Sequence, residues 1–322
     1  MSSFFPVQAG VRQGCILAPS LFNTCMVWVL NRVVSQTQCG ASVGNTKITD
    51  LVFADDAVIF AETLEVLVMA LESLHEEAKP LGLKVSWPKT KVQVFGGLLD
   101  ETVQSVHACG EDIAISEHFT YLGSVVHNNG GSRHEVLRRI GLAHGVMDSL
   151  NKSIWRCRYL CRQTKIRIFK SLVIPVLLYG CETWTLNADL KRRIDAFGSK
   201  SLRRIMGYRW DDFVSNEQLY REIDSRPITG IVLKRQLRLY GHVARYPVTD
   251  PSSRVVTARD NPEWRRRRGR PQSSWLGQVD ASCRELLGMG REPAWELARE
   301  DRRGWRLRVG EAMRPQAFAP ND

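Results

Sequence analysis

The sequence lacks the features of a membrane or secreted protein. No apolar run approaches the roughly 20 residues that a helix needs to cross a bilayer, and Pro175 interrupts the longest candidate, residues 172–179. The opening MSSFFPVQAG has no basic start followed by an apolar stretch, so it does not resemble a secretory signal. We therefore expect an intracellular protein, nuclear or cytoplasmic, with no membrane partner.

Cysteine pairs with the spacing of metal ligands are also missing. The eight cysteines are scattered along the chain, and none forms a C-x-x-C pair. Cys157 and Cys161 stand four residues apart and share one face of a predicted helix, but no further zinc ligands are recognisable. A zinc site there stays an alternative, and reduced thiols packed as small apolar groups are the expectation.

Acidic residues are scarce in the second half of the chain. Residues 131–322 carry 38 Lys and Arg against 21 Asp and Glu, whereas residues 1–130 carry 7 against 13. The net charge of +11 is therefore a property of the second half. Such an excess favours a polyanionic partner, nucleic acid above all, because phosphate contacts depend on Lys and Arg. The alternative is a solvated helical surface.

The hydrophobic patterns predict two regions of different structure. A length of 322 residues and a hydrophobic content of 43% are typical of a globular chain with two or three domains. Residues 10–23 predict a loop that runs into a helix, residues 47–62 a hairpin, and Thr63 the start of a helix. Extended segments are predicted at 91–95 and 118–126.

Beyond residue 132 the patterns are mainly helical. Amphipathic windows cover residues 135–155, 164–179, 188–206, 216–222 and 228–245. A stretch rich in Pro, Arg and Ser at 248–272 predicts a linker or exposed arm, and helical spacing returns at 275–309.

Two adjacent aspartates, Asp55 and Asp56, stand at the turn of the predicted hairpin. Like charges this close repel each other, so the pair favours a bound cation. Mg²⁺ takes oxygen ligands and keeps water and substrate phosphates in its shell. The alternative from spacing alone is an ordinary Asp-Asp turn at the surface.

Four segments resemble the motifs of reverse transcriptases, in the order of that family. FADDAVIF (53–60) resembles the Tyr/Phe-x-Asp-Asp box, GVRQGCILAPSLFN (10–23) resembles motif B, GLKVSWPKTK (82–91) motif D, and HFTYLGSVV (118–126) the primer-grip motif E. The amino-acid sequences of these motifs, together with helical segments such as LRLYGHVAR, resemble those of non-LTR (LINE-type) retrotransposon polyproteins.

The resemblance implies an α+β fold, in which a partial reverse-transcriptase palm of antiparallel sheet and helices is followed by a mainly helical thumb. The palm part would cover residues 1–127 and the thumb 128–210. Residues 211–322 would form a basic helical C-terminal region with the exposed arm near 248–272. Thumb cations, among them Arg138 and Arg139, would contact nucleic-acid phosphates. The alternative for some of them is to cover apolar surface or to pair with acids on neighbouring helices.

The resemblance also implies a two-metal centre for nucleotidyl transfer. Asp55 would be the direct Mg²⁺ ligand and Asp56 its companion, because two ions activate the primer hydroxyl and stabilise the pyrophosphate. Lys89, at the motif D position, would neutralise or protonate the leaving group. RNA template, DNA primer and dNTP would be the partners.

Two further groups of residues would contact these partners. Arg12, Gln13, Gly14 and Phe53 would lie beside the incoming nucleotide or the template. Tyr121, Leu122 and Gly123 would hold the primer end; a core edge followed by a turn is the alternative for these three.

The densest basic run, RRRRGRP, lies in the predicted arm. Its arginines are Arg265, Arg266, Arg267, Arg268 and Arg270. The Arg-Gly-Arg-Pro core is similar to an AT-hook, which lays arginine into a narrow minor groove. A nuclear-import signal and unspecific phosphate attraction are the alternatives.

The pattern departs from the family at motif A, whose aspartate is the other indispensable metal ligand. No acidic residue precedes Gly10. We therefore expect a truncated polymerase that is inactive alone, either a degraded element copy or an incomplete gene model. The missing N-terminal part of the polymerase, or an endonuclease domain, would be a further partner. The alternative function is a non-catalytic nucleic-acid-binding module that uses the basic helical half.

Overall fold

The structure is a computed structural model that describes residues 14–44, 46–96, 103–258 and 273–313. The chain divides into two compact units, and the boundary falls between Ser116 and Glu117. The first unit mixes helices with strands, and the second is mainly helical. This confirms the α+β class, while the division into three segments stays a prediction.

Two helices form the first core of the first unit. Helix α1 (Ala18–Thr37) has Pro19 in its first turn. A backbone N–H in that turn has no acceptor within the helix, so its absence in proline costs no hydrogen bond. Helix α2 (Leu64–Ala78) begins at the N-cap Thr63, whose hydroxyl accepts from the Val66 amide. Between the two helices pack the side chains of Val29, Val33, Cys39, Ala70 and Ala78.

Three separate antiparallel hairpins complete the described part of this unit. Their strands are β1 (Ala41–Val43) with β2 (Thr46–Ile48), β3 (Asp50–Phe53) with β4 (Asp56–Ile59), and β5 (Ser105–Ala108) with β6 (Glu111–Ala114). The β3–β4 hairpin was predicted, and the other two were not. A two-stranded ribbon needs packing to be stable, and β5–β6 finds it against α2.

The segment 91–95 differs from its predicted extended form. Only Val92 pairs, in a single parallel bridge to Ile115. Val92 is nevertheless buried, together with Leu71, Val106 and Ile113, in the core between α2 and the β5–β6 hairpin. Helix α2 therefore packs on two sides, against α1 and against this hairpin.

The second unit opens with one hairpin, β7 (His118–Tyr121) and β8 (Ser124–His127). The helices after it are α3 (Arg133–Ser149), α4 (Arg162–Ile168), α5 (Ile174–Leu177), α6 (Ala188–Met206), α7 (Asn216–Glu222), α8 (Ile228–Ala244), α9 (Pro251–Thr257), α10 (Trp275–Leu287), α11 (Arg291–Glu300) and α12 (Arg302–Ala312). The helical second half is confirmed. None of the described helices is long and apolar enough to cross a membrane.

Helix α9 lies inside the stretch that the sequence predicts as an arm. Its residue Ser253 is buried, so this part is a packed helix and not an exposed linker. Pro251 occupies the first helical position, where its fixed φ suits helix initiation. Residues 259–272 of the same stretch lie outside the described residues.

Two apolar cores hold the helical unit together. Residues of α3, α5, α6, α7 and the start of α8 form the first core, with the indole of Trp155 donating to the Met147 carbonyl at 2.7 Å. The second joins α8 to α10, α11 and α12 around Tyr240 and Trp305. Helix α8 contributes to both cores and so connects them.

Candidate functional site

The two aspartates lie at the tip of the β3–β4 ribbon, as predicted. Phe53 pairs with Asp56, which leaves Ala54 and Asp55 as a two-residue turn. Ala54 has a φ of +53°, a left-handed conformation that costs an alanine about 1 kcal/mol. Both carboxylates are exposed, and the ring of Phe53 beside them is 62% exposed.

The ribbon is anchored at its base and open at its tip. Ile59 packs against the α1–α2 core, and the Phe60 amide donates to the Thr49 carbonyl at 2.9 Å. Strand residues close to the tip have exposed side chains on both strands. A rigid base with a solvent-facing tip suits a metal-binding turn, because substrate must reach the ion.

The third carboxylate of the ribbon, Asp50, lies at the opposite end. It pairs with Ile59, three residue pairs from Phe53 and Asp56, or roughly 10 Å at 3.4 Å per residue. Its carboxylate accepts the Thr49 hydroxyl at 2.6 Å. Among the described residues no cluster of three His, Cys, Asp or Glu could hold a metal ion. Asp55 and Asp56 therefore offer Mg²⁺ suitable oxygen donors, but only two side chains.

The loop before α1 is described from Gly14 onward. Gly14 has a φ of +86°, which side-chain-bearing residues rarely adopt, and nothing lies within 4 Å of where a Cβ would stand. The following Ile16 is exposed, as the surface of a binding loop would be. Arg12 and Gln13 lie outside the described residues.

Lys89 lies in a short turn of the first unit, with its side chain exposed. The amides of Lys89 and Thr90 both donate to the Ser86 carbonyl at 3.0 Å. Trp87 in the same turn packs against the core between α2 and the β5–β6 hairpin. The turn is thus fixed to the unit through Trp87, while Lys89 remains available to solvent.

The predicted primer-grip residues form the turn of the β7–β8 hairpin. Tyr121 pairs with Ser124, and Leu122 and Gly123 have φ values of +46° and +77°. Positive φ at both central residues is the twist that matches a tight hairpin. The Leu122 carbonyl accepts the Tyr179 hydroxyl at 2.7 Å, and the Gly123 carbonyl accepts the guanidinium of Arg138 at 2.7 Å and that of Arg139.

Glu135 organises the groups that hold this turn. Its side chain is 2% exposed and accepts from Nε of Arg138 at 2.8 Å, Nε of Arg139 at 2.6 Å and the Val125 amide at 3.0 Å. Burial raises the pKa of this carboxyl, but the bonds from Arg138, Arg139 and Val125 outweigh burial, so the pKa is lowered overall. The Arg139 guanidinium also lies over the Tyr179 ring, 4.4 Å from its centroid. We call Glu135, Arg138, Arg139 and Tyr179 the turn clamp.

The turn clamp corrects one prediction and was missed by sequence reasoning. Arg139 is 7% exposed and Arg138 is bonded to Glu135, so both arginines hold protein groups, and phosphate contact by Arg138 stays a prediction. The spacing of Glu135, Arg138 and Arg139 is the i, i+3, i+4 pattern of a helical ion pair, which could have indicated it. Other predicted thumb cations, such as Arg158 and Arg167, are exposed.

Two further predicted groups are the arginines of the arm and the possible zinc ligands Cys157 and Cys161. The five arginines at 265–268 and 270 lie outside the described residues. The zinc alternative at Cys157 and Cys161 finds no third ligand in the described part of the chain.

Comparison with known proteins identifies the first part of the chain. The family model of reverse transcriptase (RNA-dependent DNA polymerase) matches residues 1–126, which include all four motifs. A 76-residue stretch, 24% of the chain, is 45% identical to the retrovirus-related Pol polyprotein from type-1 retrotransposable element R2 of Nasonia vitripennis. Residues 1–126 are thus similar to reverse transcriptases, and the chain is similar to proteins of non-LTR retrotransposons.

Relatives of this reverse transcriptase segment differ greatly in length. Over 209 residues, 63% of the chain, it is 22% identical to the RNA-directed DNA polymerase from mobile element jockey of Drosophila funebris. The chain spans 7% of the R2 polyprotein and 22% of the jockey polymerase. It spans 95% of a transposon-derived protein of Caenorhabditis elegans, with 26% identity over 281 residues and 82% of this chain.

The sequence family and the packing divide the chain at different places. The reverse transcriptase match runs to residue 126, whereas the first unit ends at Ser116. Almost all of the β7–β8 hairpin thus lies within the reverse transcriptase match, while by packing the hairpin is part of the helical unit. The turn clamp is the set of contacts that joins this hairpin to the helices.

Proposed function

We propose that the chain is the C-terminal palm and thumb part of an RNA-directed DNA polymerase and that Asp55 and Asp56 hold Mg²⁺. The observation that carries the proposal is the pair of exposed carboxylates at a two-residue turn on an anchored ribbon. The reverse transcriptase match around this turn supports the same assignment. RNA template, DNA primer and dNTP are the proposed substrates.

Each motif then has a chemical task in nucleotidyl transfer. Bound Mg²⁺ supplies activation of the primer hydroxyl and stabilisation of the departing pyrophosphate. Asp55 and Asp56 hold the ion, and the backbone at Gly14, which carries no side chain, allows close approach of the nucleotide or template. Lys89 gives a proton or positive charge to the leaving group. Tyr121, Leu122 and Gly123 support the primer end, at a turn that the clamp keeps rigid.

Among the described residues, the aspartate turn gathers too few carboxylates for this chemistry. Asp50 is the first acidic residue in the sequence, and it lies at the far end of the ribbon from Asp55. A two-metal centre needs a further carboxylate that both ions share, and metal-borne stabilisation is worth several kcal/mol. We therefore propose that the isolated chain does not polymerise, and that a polypeptide carrying that carboxylate completes the site.

Primer extension on an RNA template, with Mg²⁺ and dNTPs, tests this proposal. The same preparation is first shown to bind the primer–template duplex. We expect binding without incorporation by the 322-residue chain. Incorporation that disappears in the Asp55→Ala variant would contradict the proposed inactivity and would confirm the role of the aspartates.

A second candidate function is a non-catalytic nucleic-acid-binding module. The exposed cations of the helical unit favour it, because many of them form no ion pair with another of the described residues. In this case the Asp55→Asn variant binds nucleic acid as the natural chain does, and no added polypeptide restores incorporation.

A further inference from the structure

A stripe of basic residues runs along one side of helix α8. Lys234, Arg238, His242 and Arg245 follow one another at spacings of four, four and three residues, which keeps them on one helical face. From Lys234 to Arg245 the stripe is roughly 17 Å long at 1.5 Å per residue. Arg238 and His242 are exposed, and Lys234 and Arg245 are half-buried.

Helix α12 places three more arginines beside this stripe. Trp305 and Val309 form its buried face, and the Trp305 indole donates to the Leu237 carbonyl of α8 at 3.1 Å. Arg302, Arg303 and Arg306 are all exposed. Their positions fall within about 100° of the helix circumference, on one flank of the buried face.

Arg245 lies close enough to Arg302 and Arg306 for their positive charges to repel its own. Burial lowers the pKa of Arg245, and the positive charges of Arg302 and Arg306 lower it further. Arg245 keeps its place because its guanidinium donates to the Ala298 carbonyl at 2.9 Å. The α8 stripe and the α12 flank therefore form one continuous positive region, which we call the α8–α12 arginine surface.

Acidic residues do not neutralise this surface within the part of the chain that the structure describes. Lys234, Arg238, Arg302, Arg303 and Arg306 form no ion pair there, whereas some exposed arginines elsewhere do. Examples of paired arginines are Arg192 with Asp189, Arg221 with Glu217 and Arg284 with Asp280. A concentration of unpaired like charge opposes folding unless a polyanion compensates it.

We propose that the α8–α12 arginine surface binds the phosphate backbone of a nucleic acid. A linear array of about 17 Å would face about five base pairs of duplex, which carry one negative charge per roughly 1.7 Å of axis. Arginine forks bind phosphate oxygens in pairs, and phosphate contacts position a strand without reading its sequence. The proposal rests on the second candidate function and does not require the aspartates to hold metal.

Fluorescence anisotropy with labelled nucleic acid across a salt series tests the proposal in the full chain. The test variant carries Arg302→Gln, Arg303→Gln and Arg306→Gln. The matched control carries Arg192→Gln, Arg221→Gln and Arg284→Gln, which removes the same charge from paired arginines. The arginines at 265–268 and 270 stay in every protein, so their contribution cancels. Separate probes of duplex DNA, RNA–DNA hybrid and single-stranded RNA show which backbone is preferred.

We expect the test variant to bind at least about tenfold more weakly, with a log–log salt slope shallower by about 3, since each phosphate contact contributes about 0.9. The control variant should change much less. A third variant with lysine at 302, 303 and 306 should retain most of the affinity, because it keeps the charge.

Three results would overturn the proposal. Equal weakening in test and control would mean that only net charge matters. Unchanged binding in the test variant would exclude the surface. Binding to vesicles of anionic lipid is measured in parallel, and a loss of affinity for the vesicles alone would also exclude a nucleic-acid surface. Thermal unfolding of each variant identifies any that is misfolded. If the test variant is misfolded, the affinity of the lysine variant relative to the natural chain decides whether the charge at 302, 303 and 306 supports binding. All binding is measured without Mg²⁺ and dNTPs, which separates this proposal from the polymerase proposal.

Discussion

Glu135 and Arg139 form a buried ion pair one turn apart on α3, with Nε of Arg139 2.6 Å from the carboxylate. The same carboxylate accepts the Val125 amide, and Arg139 also binds the Gly123 carbonyl. The pair therefore satisfies two backbone groups of the β7–β8 hairpin. The hairpin with the primer-grip turn is held to the helical unit by charge-assisted bonds, which are stronger than those between neutral groups.

Replacing Glu135 tests how much the turn clamp contributes to the stability of the helical unit. Glu135→Gln leaves Arg139 buried without its counter-charge, and we expect a loss of about 3 kcal/mol in the free energy of unfolding of the helical unit. Urea unfolding followed by tryptophan fluorescence measures it. Glu217→Gln removes the exposed partner of Arg221 and should cost less than about 1 kcal/mol. Equal losses in the two variants would contradict the structural role of Glu135.

The stability that Glu135 contributes should depend on pH. Because the folded-state pKa of Glu135 is lowered from 4.5, its charge stabilises the fold above that value, and this stability is lost as the pH falls through the lower folded-state pKa. We expect the stability difference between the natural chain and Glu135→Gln to shrink as the pH is lowered below about 4.5. Urea unfolding at a series of pH values measures this difference. A difference that does not change with pH would show that the carboxylate charge contributes nothing.

Gly241 tests the contact between α8 and α12. A Cβ at this position would stand 2.6 Å from Cδ1 of the buried Trp305 ring, which has no room to move. We expect Gly241→Ala to destabilise the second helical core by about 2 kcal/mol. Gly230 lies on the same helix with nothing within 4 Å of its Cβ position, so Gly230→Ala should stabilise slightly. Thermal unfolding of both variants makes the comparison.

Ala54 tests the strain at the aspartate turn. Glycine adopts a positive φ without penalty, so Ala54→Gly should be neutral or stabilising by up to about 1 kcal/mol. Ala57 in β4 has no such conformation, and Ala57→Gly should destabilise by roughly 0.5–1 kcal/mol. The two unfolding free energies are compared directly. A larger loss for Ala54→Gly than for Ala57→Gly would contradict the left-handed turn.

Local patterns in the sequence predicted the elements with strong signals of their own. The β3–β4 hairpin followed from apolar runs on both sides of the aspartates, and α2 from Thr63 and its leucine stripe. The β5–β6 hairpin was missed because its four-residue strands meet at a Cys109-Gly110 turn, where Cys109 has a φ of +53°. Cysteine in a left-handed conformation is not a recognisable turn signal.

The contact between the turn clamp and the β7–β8 turn could not be predicted, for a different reason. Its tyrosine lies 57 residues along the chain from the Leu122 carbonyl that it binds. A charge pattern also does not separate buried from solvated arginines, so Arg138 and Arg139 were grouped with exposed thumb cations. The position of Asp50 relative to Asp55 required the strand register, which shows that the two carboxylates cannot act together at the tip.

Localised cleavage by iron tests the central claim, that the Asp55–Asp56 turn is a divalent metal site. Fe²⁺ substituted for Mg²⁺ reduces added hydrogen peroxide to hydroxide and a hydroxyl radical and is itself oxidised to Fe³⁺. The radical cuts backbone close to the bound ion, and mass spectrometry locates the cuts. We expect cuts around residues 53–58 that excess Mg²⁺ suppresses and that Asp55→Asn combined with Asp56→Asn abolishes. Cuts that persist in this variant, or an absence of cuts at the ribbon tip in the natural chain, would contradict the claim.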